Sequence, residues 1–223
     1  EEAFGRASAA APKEFEPLVQ RAAVRIDRAR ARRMGGLDAG PDLVAAREDL
    51  ERAAALAPGE AMVWVRKGMF HLVELGEAVQ RGADPGEPVR AGIAAFDRAL
   101  ELRPGAAETL ARRGQLRAQA GHVERAAGRD PTELYRAAQA DFEAALKARP
   151  GDALSLLGRA GVLLNSALHA REHDADPVPL LREARSAYDA AVARDPAQHE
   201  TWQNRGLLRL LLGQAAAKAG ADP

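Results

Sequence analysis

Cysteine is missing from all 223 residues. That excludes disulfides and thiolate-held metal but does not fix the compartment, the cytoplasm being slightly favoured. Charge of one prevailing sign is missing too, with 32 Lys and Arg against 32 Asp and Glu. No global field therefore draws the chain to nucleic acid or to an acidic membrane. Long apolar runs are absent: the longest, around Leu207 to Leu212, is interrupted by Arg209, and a membrane span needs roughly 20 such residues. Aromatic and β-branched residues are scarce, while Ala, Leu, Arg and Glu dominate, a mixture that favours helix almost throughout. There is no P-loop, no dinucleotide glycine fingerprint and no Ser-His-Asp constellation, so no cofactor is expected and an enzyme reading has no support. The chain opens on Glu1-Glu2-Ala3, without Met or a signal-like apolar stretch, and reads as a piece of a longer polypeptide.

What is present is a repeat. Pro12, Pro58, Pro104, Pro150 and Pro196 follow one another at intervals of 46 residues. Other columns keep the same step: Asp38, Asp84, Asp130, Asp176 and Asp222, the last four each followed by Pro; Leu18, Trp64, Leu110, Leu156 and Trp202; Arg21, Lys67, Arg113, Arg159 and Arg205. Each member of that last series precedes Ala or Gly. Leu50, Phe96, Phe142 and Tyr188 form another column, three before Ala53, Ala99, Ala145 and Ala191. A fixed period in this range is the mark of a solenoid.

Each column has a physical meaning. Pro, often as Pro-Gly, ends one helix and opens the next. The first helix of a repeat is expected over stretches such as Glu60 to Gln80, with Trp64, Gly68, Leu72 and Leu75 at helical spacing. Gly or Ala in its middle lets a neighbouring helix approach closely. Asp-Pro starts the second helix, the carboxylate accepting from free amides. A single hairpin cannot bury both its apolar faces, so hairpins stack. The phase divides the chain into 1–11 as the end of a preceding repeat, where Phe4 and Ala7 occupy second-helix columns. Repeats then span 12–57, 58–103, 104–149 and 150–195, and 196–223 is the first helix of a fifth. Terminal segments that keep the consensus imply repeats continuing beyond one or both ends.

These residues resemble the tetratricopeptide repeat, W-x2-L-G-x2-Y, then A-x3-F, Ala and Pro. Trp64, Gly68, Gly92, Phe96, Ala99 and Pro104 fall on the pattern, as do Leu110, Gly114, Ala138, Phe142, Ala145 and Pro150. The usual repeat has about 34 residues, so both helices are expected to be longer here. A second departure is Arg or Lys before the mid-helix Gly, as in Asn204-Arg205-Gly206. The resemblance implies an all-α, right-handed solenoid of stacked antiparallel helix pairs. It also implies a scaffold that holds a protein or peptide on its concave face, within a larger bacterial signalling protein. By column, that face would present Met62, Val65, Arg66, Met69 and Val73 in the second repeat, and Arg112, Gln115 and Gln119 in the third. The fourth would add Leu154, Leu157 and Asn165, and the fifth Gln203 and Asn204. The family's Lys-Asn-Arg carboxylate clamp would fall on Val19, Val65, Ala111, Leu157 and Gln203, so an apolar or amphipathic segment is the expected ligand. The alternative is a structural spacer or self-association element stacking end to end.

Three further features compete with plainer readings. His169-Ala170-Arg171-Glu172-His173 matches the H-x-x-E-H zinc pattern, the remote alternative of a metal-dependent hydrolase. It lies in a polar helix end beside Asp174 and Asp176, with no third ligand at family spacing. The basic stretch Arg21 to Arg33 could bind phosphate or an acidic tail, but it has no interleaved aromatics for base stacking, and a charge run on a helix is more often a solvated face. Glu51, Asp97, Glu143 and Asp189 also step by 46. They predict an inter-repeat ladder of Lys67 to Glu51, Arg113 to Asp97, Arg159 to Glu143 and Arg205 to Asp189, each pair worth at most about 1 kcal/mol.

Overall fold

The 46-residue step that orders the prolines also orders the backbone. A computed structural model describes residues 12–194 and 199–218, and among them every regular element is an α-helix. First helices of the repeats are α1 (Pro12–Met34), α3 (Ala61–Arg81), α5 (Ala107–Ala126), α7 (Ala153–Glu172) and α9 (His199–Lys218). Second helices are α2 (Gly40–Leu56), α4 (Gly86–Leu102), α6 (Thr132–Ala148) and α8 (Val178–Arg194). From α4 onward, each helix begins 46 residues after its counterpart one repeat earlier. Glu1 to Ala11 with Phe4 and Ala7, Pro196, and the Asp222-Pro223 pair lie outside the described residues. No described helix is long and apolar enough to cross a membrane.

The chain forms two compact units, 1–104 and 105–223, divided where the second repeat ends. In unit 1, α1 packs on α2, α3 on α4, and both α1 and α2 on α3. In unit 2, α5 packs on α6, α7 on α8, both α5 and α6 on α7, and α8 on α9. Within a hairpin the helices run antiparallel. Arg21 reaches Asp49 while the later Arg28 reaches the earlier Asp42.

The start signals act one residue earlier than expected. Asp38, Asp84, Asp130 and Asp176 each accept from the backbone N–H two residues on, at 2.9–3.0 Å. In the second and third repeats the N-cap position itself is Pro85 or Pro131. Asp thus occupies the first amide of the helix from outside it, and Pro fixes the entry. Gly151, at φ 84°, makes the left-handed turn after Pro150 that a residue with a Cβ resists.

Mid-helix glycines seat the aromatic residues of the second helices. A Cβ on Gly68 would lie 2.6 Å from the Phe96 ring, and Phe96 is completely buried. Phe142 is gripped from both sides: a Cβ on Gly114 would meet it at 3.0 Å, and one on Gly158 at 2.3 Å. Burying such a ring contributes about 2–3 kcal/mol, more than the roughly 1 kcal/mol of helix propensity lost at Gly.

Candidate functional site

Each of the two units carries part of the expected surface on its first helices. On α3, Met62 is 41% exposed, and Val65, Arg66 and Met69 are half-buried. Arg66 Nη1 lies 3.6 Å from Met69 Sδ, so the guanidinium leans along a thioether. Nearby, Trp64 Nε1 donates to the Pro58 carbonyl at 2.9 Å, and Lys67 Nζ lies 5.2 Å from the Trp64 ring centroid. This strip is apolar with cations along it. Val73 does not belong to it: at 3% exposure it packs with Ile26, Leu43 and Phe70 in the core of unit 1. That turn of α3 faces the core, so the column expected at the surface fails there.

In unit 2 the predicted residues divide by what already holds them. Arg112 Nη1 donates to Gln115 Oε1 at 3.3 Å, and Gln119 and Leu154 are half-buried. Leu157 packs against the core of α7, α8 and α9. Asn165 is occupied within the fold, donating to the Gly161 carbonyl at 2.8 Å and accepting from Arg125 at 2.9 Å. Gln203 is exposed, whereas Asn204 bonds Tyr188, whose phenol is pushed up to about 12 chiefly by burial. The carboxylate-clamp column offers nothing polar at Val19 or Ala111, both buried in the core.

The residues of the histidine motif make contacts within the fold. His173 Nδ1 lies 2.9 Å from the His169 carbonyl, and His169 Nε2 lies 3.4 Å from Asp130. Glu172 receives Arg125 at 3.2 Å through both oxygens. Among the described residues, no cluster of three potential ligands includes either histidine.

The basic stretch of α1 is used inside unit 1. Asp49, 4% exposed at its side chain, takes Arg21 and Arg25, while Asp42 takes Arg28 and Arg32. The inter-repeat ladder forms in part. Arg159 reaches Glu143 at 3.4 Å and Arg205 reaches Asp189 at 2.7 Å. Lys67 turns to the Trp64 ring instead of Glu51. The Arg113–Asp97 step falls across the unit boundary. Arg113 is held within unit 2 by Asp141, at 2.5 Å, and Arg117 reaches the same carboxylate at 2.7 Å.

One feature of unit 2 escaped sequence reasoning. A cavity of about 760 Å³ opens beside the α7–α8 turn, lined by Leu168, Arg171, Pro177, Leu181, Leu211 and Ala215 among others. One repeat earlier the same columns hold His122, Arg125, Pro131, Tyr135, Asn165 and His169, several of them hydrogen-bonded to one another or to neighbours. Replacement of large polar residues by Leu and Ala in that niche was the available signal. No protein-family model matches the chain, and no curated protein matches it.

Proposed function

We propose that the chain is a tetratricopeptide-like, right-handed helical-repeat module that binds a protein segment on the outward side chains of its first helices. The observation that carries this reading is the α3 strip of Met62, Val65, Arg66 and Met69. There, flexible apolar side chains stand at the surface with a cation whose described contact is a sulfur, not a carboxylate. Methionine adapts its shape to a partner, and residues at helical spacing suit the apolar face of an amphipathic helix carrying an acidic residue. Attachment to a bacterial signalling protein follows from the resemblance of the repeats and belongs to the same proposal. The test is site-specific photocrosslinking in cells from position 62, with exposed Arg98 on α4 as control position. A partner captured from position 62 alone, and lost on Arg66→Glu, supports the reading; equal capture from both positions overturns it.

A second reading, an element that stacks on another copy, has one observation in its favour. Leu210 on α9 is 57% exposed, whereas Leu72 and Leu164 in the same column are buried at 8% and 4%. Trp202 beside it is 46% exposed. Light scattering over a concentration series separates the two: growth into oligomers supports stacking, a constant monomer mass supports ligand capture.

A further inference from the structure

Hairpins one and three are tied by guanidinium–carboxylate clamps, Arg21 and Arg25 on Asp49 and Arg113 and Arg117 on Asp141. Hairpin two has lost that device. A step of 46 residues puts Ala95 and Pro88 where α2 has Asp49 and Asp42, and His71 and Glu74 where α1 has Arg25 and Arg28. Hairpin four meets the same loss with apolar residues, Leu163 and Ala187, both buried. Hairpin two keeps ionisable groups at the seam instead, and a third, Glu87, joins them from the first turn of α4.

We propose that His71, Glu74 and Glu87 bind one divalent transition-metal ion, zinc foremost, which links α3 to α4 where the other clamps have arginine. His71 is 8% exposed at its side chain and Glu74 13%. Nδ1 of His71 lies 2.8 Å from Oε2 of Glu74, and one ligand atom from each of the three residues lies within 4.8 Å of the others. Tetrahedral zinc with bonds of about 2.1 Å sets its ligands roughly 3.4 Å apart. Glu87 is exposed, so its side chain is free to close the remaining gap of on the order of 1 Å. One imidazole and two carboxylates make three protein ligands and leave a fourth position for water, the ligand count of an open zinc site. The imidazole nitrogen favours zinc or a neighbouring transition metal over magnesium or calcium, which prefer all-oxygen shells.

The surroundings support the set. Arg47 pairs with the other oxygen of Glu74, Oε1, which fixes the carboxylate and leaves Oε2 directed at His71. The Phe70 ring meets the imidazole edge-on at 5.1 Å, restraining its rotation. Two carboxylates against one guanidinium leave the pocket net negative, as a dication requires.

The test titrates the full, metal-stripped chain with zinc chloride by calorimetry and with cobalt as a spectroscopic probe. The expected result is one saturable site in the micromolar range, with the intense visible bands of tetrahedral cobalt. At a zinc concentration about a hundred times Kd, the melting temperature of the unit holding α3 and α4 should rise by on the order of 10 °C. Glu87→Gln should weaken binding at least about tenfold while leaving the metal-free melting temperature unchanged, because Glu87 is exposed. His173→Ala, which removes the ring beside His169, should change nothing. The proposal is overturned by absence of saturable binding in that range, by a site indifferent to Glu87→Gln, or by binding that disappears with His173→Ala.

Discussion

Asp141 receives Arg113 and Arg117 on a side chain only 4% exposed, while the two arginine side chains are 18% and 19% exposed. A carboxylate in that position costs a large desolvation, offset only because both cations converge on it. Removing it leaves two arginines that can still turn partly toward water. Asp141→Ala should therefore cost about 2 kcal/mol, below the 3–5 kcal/mol of a fully buried pair, measured as a lowered urea midpoint for unit 2. The pH dependence follows from unit 1. Hydrogen bonding by Arg28 holds the Asp42 carboxyl below its ordinary range, and Arg21 does the same for Asp49. As pH falls toward about 4, the unfolded chain takes up protons at these positions before the folded one does. Stability contributed by the two clamps is thus complete at neutral pH and is lost on acidification through the depressed folded values. Urea titrations between pH 7 and pH 3 should show that loss, with a shallower slope in Asp49→Asn.

Helices in this fold are set apart or drawn together by whether their midpoint carries a Cβ. Gly68→Ala gains about 1 kcal/mol of helix propensity, but its methyl would lie 2.6 Å from Phe96, and overpacking a closed core costs about 1–3 kcal/mol. The net effect is destabilising. Gly206 occupies the same column on α9, and a Cβ there would meet nothing within 4 Å among the described residues. Gly206→Ala should stabilise by up to about 1 kcal/mol, so thermal melts of the two variants should move in opposite directions. That column, like the starts of the helices, was legible in the sequence because the 46-residue step is obeyed by every repeat. The clamps were not. Position 49 reads Asp, Ala, Asp, Ala through Asp49, Ala95, Asp141 and Ala187, so a search for residues common to all repeats passes over it. The recurring Glu51 series drew the arginine column toward the neighbouring repeat instead, and only Arg159 and Arg205 follow it among the pairs internal to one unit. The surface exposure of Met62 and the partial exposure of Arg66 could be read by column. Val73 could not, because its side chain turns into the core of unit 1 among Ile26, Leu43 and Phe70.

At the scale of the molecule, one column holds both core residues and an exposed one. Ile26, Leu72 and Leu164 are buried in it at 2%, 8% and 4%, and Leu210 is 57% exposed. Leu210, Trp202 and Leu207 together present a few hundred Å² at most, against the roughly 1,200–2,000 Å² of total surface that a stable interface buries. The chain should therefore run as a monomer by light scattering at micromolar concentration, and Leu210→Glu should leave both its mass and its stability unchanged to within about 0.5 kcal/mol. Leu164→Glu places the same charge in the apolar core cluster of α7, α8 and α9, among alanine and leucine side chains that cannot solvate it. That substitution should cost at least about 4 kcal/mol, seen as loss of the cooperative transition of unit 2. If Leu210→Glu instead proved as damaging as Leu164→Glu, α9 would be covered in solution, and self-association would displace ligand capture as the better reading.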